Sequence, residues 1–198
     1  MSLIEKTKSL IPLGYLFLVI MGVLKESVFF YQLGINILKY STIMDILISP
    51  IADLTSNPII LLSFLVFLTF IALFLLFCYK YRSKTWVRKM VGLKENSYKI
   101  SDEEFKNKLT NVFFILISVG MLSFFLGLGI GGGHNISRKI KNNKLEYKQK
   151  ITFNSGEKED VYLIDTNSAY YFYVTKGNSS IKITPIGAVK NIELAKIK

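Results

Sequence analysis

Cysteine and histidine are almost missing from this chain: Cys78 is its one cysteine and His134 its one histidine. A lone cysteine excludes an intrachain disulfide, so no such bond staples any part of the chain. The same scarcity removes most metal-binding and nucleophilic constellations, which need several such groups converging. Acids are few as well. There are 14 Asp and Glu against 25 Lys and Arg, a net charge of +11. What is abundant is apolar. Hydrophobic residues make up 51% of the 198 residues and are gathered into blocks rather than spread periodically. Blocks of that kind are the pattern of a membrane protein. Much of the positive charge lies near block ends, where basic residues set orientation and meet anionic headgroups. It is therefore not read as a nucleic-acid footprint. The expected partners are a lipid bilayer and protein, with no nucleic acid and no cofactor.

The strongest block is residues 58–79, 22 residues without a charge. As a helix it would be about 33 Å long, roughly the thickness of bilayer hydrocarbon. Asn57 followed by Pro58 predicts an N-cap and a first-turn proline. Residues 11–33 predict an earlier span, interrupted by Lys25 and Glu26. No small-residue cleavage site precedes that pair, so the segment reads as an uncleaved anchor. The pair is a candidate intramembrane ion pair near the outer edge of the bilayer. Lys25 is long enough to snorkel; Glu26 must pair, protonate or face protein. Residues 109–131 predict the third span. Its Ser123, Gly127 and Gly131 recur every four residues, a small-residue face that lets another helix approach closely. Gly129, Gly131, Gly132 and Gly133 predict a loosened exit from the membrane.

Between the first two spans, Asn36, Lys39, Thr42, Asp45 and Ser49 form one polar stripe. This predicts an amphipathic interfacial helix over about 36–49, capped at Thr42-x-x-Asp45 and ending before Pro50, with a full span or a re-entrant segment as the alternatives. Residues 80–108 form a short loop with nine Lys and Arg against four acids. Within it, residues 92–98 are a turn-rich break, and Ser101-Asp102-Glu103-Glu104 predicts a capped helix start. The positive-inside rule puts this loop in the cytoplasm and everything after Gly133 on the opposite face. Arg138, Lys139, Lys141 and Lys144 run against that expectation, being basic residues near the outer end.

From Lys144 onward the pattern changes to short alternating stretches separated by turn residues at 154–156, 165–168, 176–178 and 185–187. Five antiparallel strands are expected. The succession of strand, turn, strand, short break and strand resembles the small SH3-like and Sm-like barrels, and the resemblance implies a small all-β barrel over residues 137–198. Tyr170, Tyr171, Phe172 and Tyr173 cannot all face inward, because neighbours on a strand alternate. The outward pair is a candidate partner-binding surface.

The expected fold is thus a membrane-helical region over 1–136, with about three transmembrane helices and one amphipathic helix, followed by a small β-barrel. The expected protein is a non-enzymatic, multi-pass protein of a bacterial inner membrane. It would be an adaptor, envelope-complex accessory subunit or immunity-type protein that binds a protein partner or self-associates through its last span. A glycine-rich last span leading into an Sm-like domain also resembles the MscS-type mechanosensitive channels, which implies a small homo-oligomeric channel as the alternative. A membrane-disrupting effector with a β sensor domain is the third reading.

Overall fold

A computed structural model describes residues 3–93 and 101–194. Three of its helices are long and apolar enough to cross a membrane: Ile11–Tyr31, Pro58–Lys80 and Asp102–Lys141. The first is the apolar part of α1 (Leu3–Tyr31). A 3-10 turn at Ile37–Lys39 and helix α2 (Ile43–Ser56) follow. Next come α3 (Pro58–Lys80), the short α4 (Thr85–Met90) and the 40-residue α5 (Asp102–Lys141). Five strands follow among the described residues: β1 (Gln149–Phe153), β2 (Lys158–Thr166), β3 (Tyr170–Thr175), β4 (Ile181–Pro185) and β5 (Val189–Leu194). The chain divides into two compact units, Met1–Ile51 with Phe125–Lys198, and Ala52–Phe124.

The second unit is a helical hairpin. Asn57 Oδ1 accepts the Ile59 amide at 3.0 Å and Pro58 opens α3. Inside the apolar run, the Ser63 and Thr69 hydroxyls donate to the carbonyls four residues back, which satisfies them without water. Helix α3 packs antiparallel on the first part of α5: Phe64 meets Phe124, Phe67 lies over Gly120, and Tyr79 meets Phe105. Ser101 Oγ accepts the Glu104 amide at 3.2 Å at the start of α5. At this end of the hairpin Val87, Val91 and Leu93 close over Cys78, Phe105 and Leu109 in one apolar cluster. Of the expected break at 92–98, Gly92 has a left-handed φ of 73°, and residues 94–98 lie outside the described residues.

The first unit joins the membrane end of α1 to the β-sheet. The strand order is β4-β3-β2-β1-β5, all antiparallel. Gly156 and Gly177 adopt the positive φ that their turns need. The sheet is not closed into the expected barrel, since β4 and β5 remain its two edges. It is nonetheless curled. A flat five-stranded sheet holds its edges about 19 Å apart, whereas the four steps from Pro185 to Val189 reach about 14 Å at most. Closure would need a β4–β5 ladder. The link between these strands is a single 3-10 turn (Ile186–Ala188), and Pro185 has no N–H to donate.

Two helical expectations also change. Helix α2 does not stop before Pro50 but runs through it to Ser56. Proline removes the bond that residue 50 would donate to the Ile46 carbonyl. That same oxygen faces Gly22 so closely that a Cβ there would collide with it. The orphaned acceptor is thus covered by α1, and glycine is what lets α1 approach. The glycine run does not loosen α5 either, which stays helical from Gly129 to Lys141. Breaking the backbone in or next to hydrocarbon strands polar groups, and three of these glycines, Gly129, Gly132 and Gly133, lie against α1. A Cβ at Gly129 would lie 2.5 Å from the Lys25 carbonyl oxygen, and one at Gly133 2.5 Å from that of Phe29. The steps from 25 to 29 and from 129 to 133 advance together, so α1 and the end of α5 are parallel neighbours.

Candidate functional site

Lys25 and Glu26 are adjacent on α1, and adjacent helical residues do not normally face each other. Here they are drawn together by a third group. Lys25 Nζ donates to Glu26 Oε1 at 2.6 Å and to Ser49 Oγ at 2.9 Å. The Ser49 hydroxyl in turn donates to Glu26 Oε1. The three side chains form a closed, charge-neutral ring between α1 and α2. Lys25 is 9% and Glu26 6% exposed. Lys25 therefore does not snorkel; its ammonium is turned toward α2. The Gly22–Ile46 and Gly129–Lys25 contacts bring backbone close on two sides of this stretch. The ring lies about 9 Å before the end of α1 at 1.5 Å per residue.

Ser49 belongs to the polar stripe of 36–49, and Asp45, one turn earlier, is also committed to protein contacts. Asp45 Oδ2 accepts from the Thr42 amide and hydroxyl at 2.8 and 2.7 Å. Its carboxylate also accepts from the Ser168 amide at 3.0 Å and hydroxyl at 2.9 Å, on the β2–β3 turn. Burial pushes the Asp45 carboxyl up, but these hydrogen bonds outweigh it and hold the group below its ordinary value. Asn167 on the same turn donates to the Tyr40 carbonyl and the Ser41 hydroxyl.

The four aromatics of β3 divide by parity. Tyr173 is 1% exposed and packs with Ile151 and Val161, joined by Tyr171, on the sheet's own core. Phe172 is 1% exposed and faces the other way, into Phe30 and Ile37 at the end of α1, with Tyr170 beside it. The Phe30 and Phe172 ring centroids are 5.0 Å apart, and Tyr40 meets Tyr170 edge-on at 5.5 Å. The pair that alternation turns outward is thus covered by the chain's own α1 and the 3-10 segment.

Ser123, Gly127 and Gly131 are exposed, and nothing within the chain lies within 4 Å of a Cβ placed on Gly127 or Gly131. The glycines that α1 uses sit on an adjoining face of α5, at 129, 132 and 133. Sequence reasoning missed them, along with Ser49, Phe30 and Tyr40 as partners. The available signal was the polar stripe, whose phase already held Ser49 and Asp45. Among the described residues no group of three or more His, Cys, Asp or Glu is placed to hold a metal ion. Comparison with protein-family models, curated proteins and solved structures finds no match to this chain.

Proposed function

We propose that this is a non-enzymatic, multi-pass protein of a bacterial cytoplasmic membrane that presents a small five-stranded β-domain to a protein partner on the outer face. The observation that carries the reading is the docking of the sheet on α1. Phe172 and Tyr170 fill the apolar end of that helix, and Asp45 pins the β2–β3 turn. A domain held this way acts as a rigid extension of a membrane span rather than as a tethered module. The parallel packing of α1 and α5 supports the threading. Two parallel spans are separated by an odd number of crossings, and α3 supplies one. A crossing by α2 would make the number even, so α2 remains on the β-domain's face. The positive-inside rule then assigns the loop 80–108 to the cytoplasm.

With the aromatics used internally, the partner surface moves to the two open edges of the sheet. Edge strands carry free N–H and C=O groups and accept a partner's strand. The exposed Ser123, Gly127 and Gly131 face serves self-association in the bilayer. In-membrane cross-linking followed by purification in mild detergent tests both parts. Discrete oligomers, with a partner whose cross-links map to β4 or β5, are expected. A monomer with cross-links to no protein contradicts the proposal, and tension-gated conductance of the reconstituted chain would put the channel reading in its place.

A further inference from the structure

We propose that the outer end of α5 carries a binding site for the phosphate of an anionic phospholipid headgroup. The site is a pocket of about 420 Å³ lined by Asn135, Arg138, Lys139, Asn142 and Lys144. Three cations and two amides line it, and no carboxylate. Residues 134–144 contain no acid at all. None of the three cations is in an ion pair among the described residues. The nearest acid in sequence, Glu146, is paired with Lys148, and Lys139 adds a weaker attraction that helps hold its carboxyl below the ordinary value.

A helix C-terminus favours cations through its dipole and its free carbonyls, but here the carbonyls are satisfied by backbone. The Lys144 amide donates to the Lys139 carbonyl and the Asn143 amide to that of Ile140, with Asn143 at φ 52°. This is a Schellman cap with asparagine in the glycine position. The side chains of Arg138, Lys139 and Lys144 are therefore not needed to cap the helix; Lys139 and Lys144 also border an adjoining pocket that holds Glu146, and Arg138 does not. Counting from Gly133, Arg138 and Lys139 stand about 8–9 Å further along the axis, and long basic side chains reach back into a headgroup layer about 5–8 Å deep. Guanidinium and ammonium donors beside amides match a phosphodiester. The site also accounts for basic residues on the face where the positive-inside rule does not expect them.

The inference rests on the proposed reading of α5 as a membrane span. The full chain in mild detergent is titrated with phosphatidylglycerol or phosphatidylcholine, and retained lipid is read by native mass spectrometry. Phosphatidylglycerol is expected to bind about tenfold or more tighter, and R138Q/K139Q/K144Q to abolish that preference. The loop variant K80Q/K84Q/K89Q, which removes equal charge, is expected to keep it. Equal retention of both lipids, or an unchanged preference in R138Q/K139Q/K144Q, overturns the proposal. Displacement of the lipid by millimolar inorganic phosphate assigns the pocket to a soluble anion, and displacement by an oligonucleotide assigns it to nucleic acid; either overturns it too. A chain that stays soluble without detergent removes the membrane reading itself, which separates that failure from this one.

Discussion

Removing Lys25 alone should unfold this protein more readily than removing the whole ring it belongs to. Lys25→Ala removes the cation beside Glu26, a residue 6% exposed in the native fold, and leaves the Ser49 hydroxyl as its remaining partner in the ring. Breaking a buried ion pair from one side costs about 3–5 kcal/mol in water-soluble proteins. In a membrane the unfolded reference also finds partners, and measured polar couplings there average about 0.6 kcal/mol. The expected loss for Lys25→Ala is therefore about 2–3 kcal/mol, at or just below the bottom of the soluble range. Replacing the ring together, as Lys25→Met with Glu26→Leu and Ser49→Ala, removes both charges and the hydroxyl that bridges them. That triple variant should lie within about 1 kcal/mol of the native chain or be more stable, because buried ion pairs seldom outperform good apolar packing. The assay is reversible unfolding in mixed micelles, followed by circular dichroism, on a cycle of single and double variants. A coupling between positions 25 and 26 of about 1–2 kcal/mol is expected. If each single change costs under about 0.5 kcal/mol and the two add, the ring is not a buried, mutually dependent unit, and its geometry is wrong.

Glycine substitutions should divide by face. Gly129→Ala must push the Lys25 backbone away and is expected to cost about 1–3 kcal/mol, whereas Gly131→Ala, with open space over it, should leave folding unchanged and weaken only self-association; thermal stability and cross-linking yield, measured on the same two variants, decide. Phe172→Ala empties a site 1% exposed and should cost about 3–5 kcal/mol, with faster amide exchange in β3 and around Ile37; unchanged exchange at Ile37 would mean the sheet does not rest on α1. Asp45 gives a pH dependence of definite sign. Its folded-state pKa is depressed by the Thr42 and Ser168 hydrogen bonds despite burial, so its contribution is complete above the ordinary value of 3.8 and is lost as pH falls below it. The Ser168 amide, corrected for intrinsic rate, should keep constant protection from pH 7 to 5 and lose it only below about pH 4; loosening between pH 7 and 5 would contradict this.

Much of the framework was legible because its signals are local. Asn57 and Pro58 start α3, Ser101 starts α5, Gly156 and Gly177 make turns, and the break at 185–187 separates the last two strands. What was not legible depends on residues distant in sequence. Pro50 reads as a helix end unless Gly22 is known to cover the Ile46 carbonyl. The run 129–133 reads as a flexible exit unless α1 is known to need its missing side chains. The ring at Lys25 and Glu26 was half visible: the charges stood out in an apolar block, but Ser49, 23 or 24 positions on, was one polar residue among five in its stripe. Closure of the sheet depends on register and on the geometry of one three-residue turn, which strand count alone does not determine. For the aromatics of β3, alternation correctly divided the four into two pairs, yet it carries no information about whether the outward pair meets a partner or the chain's own helix.

The central claim is that the β-sheet and the end of α1 share one face of the membrane while the basic loop lies on the other. Single cysteines at Lys84 and at Asn178, placed in a Cys78→Ala background and treated with an impermeant maleimide in intact cells, test it most directly. Labelling of Asn178→Cys with protection of Lys84→Cys until the cells are opened is the predicted result. Labelling of Lys84→Cys in intact cells with protection of Asn178→Cys inverts the threading, and labelling of both in intact cells shows that no membrane lies between them.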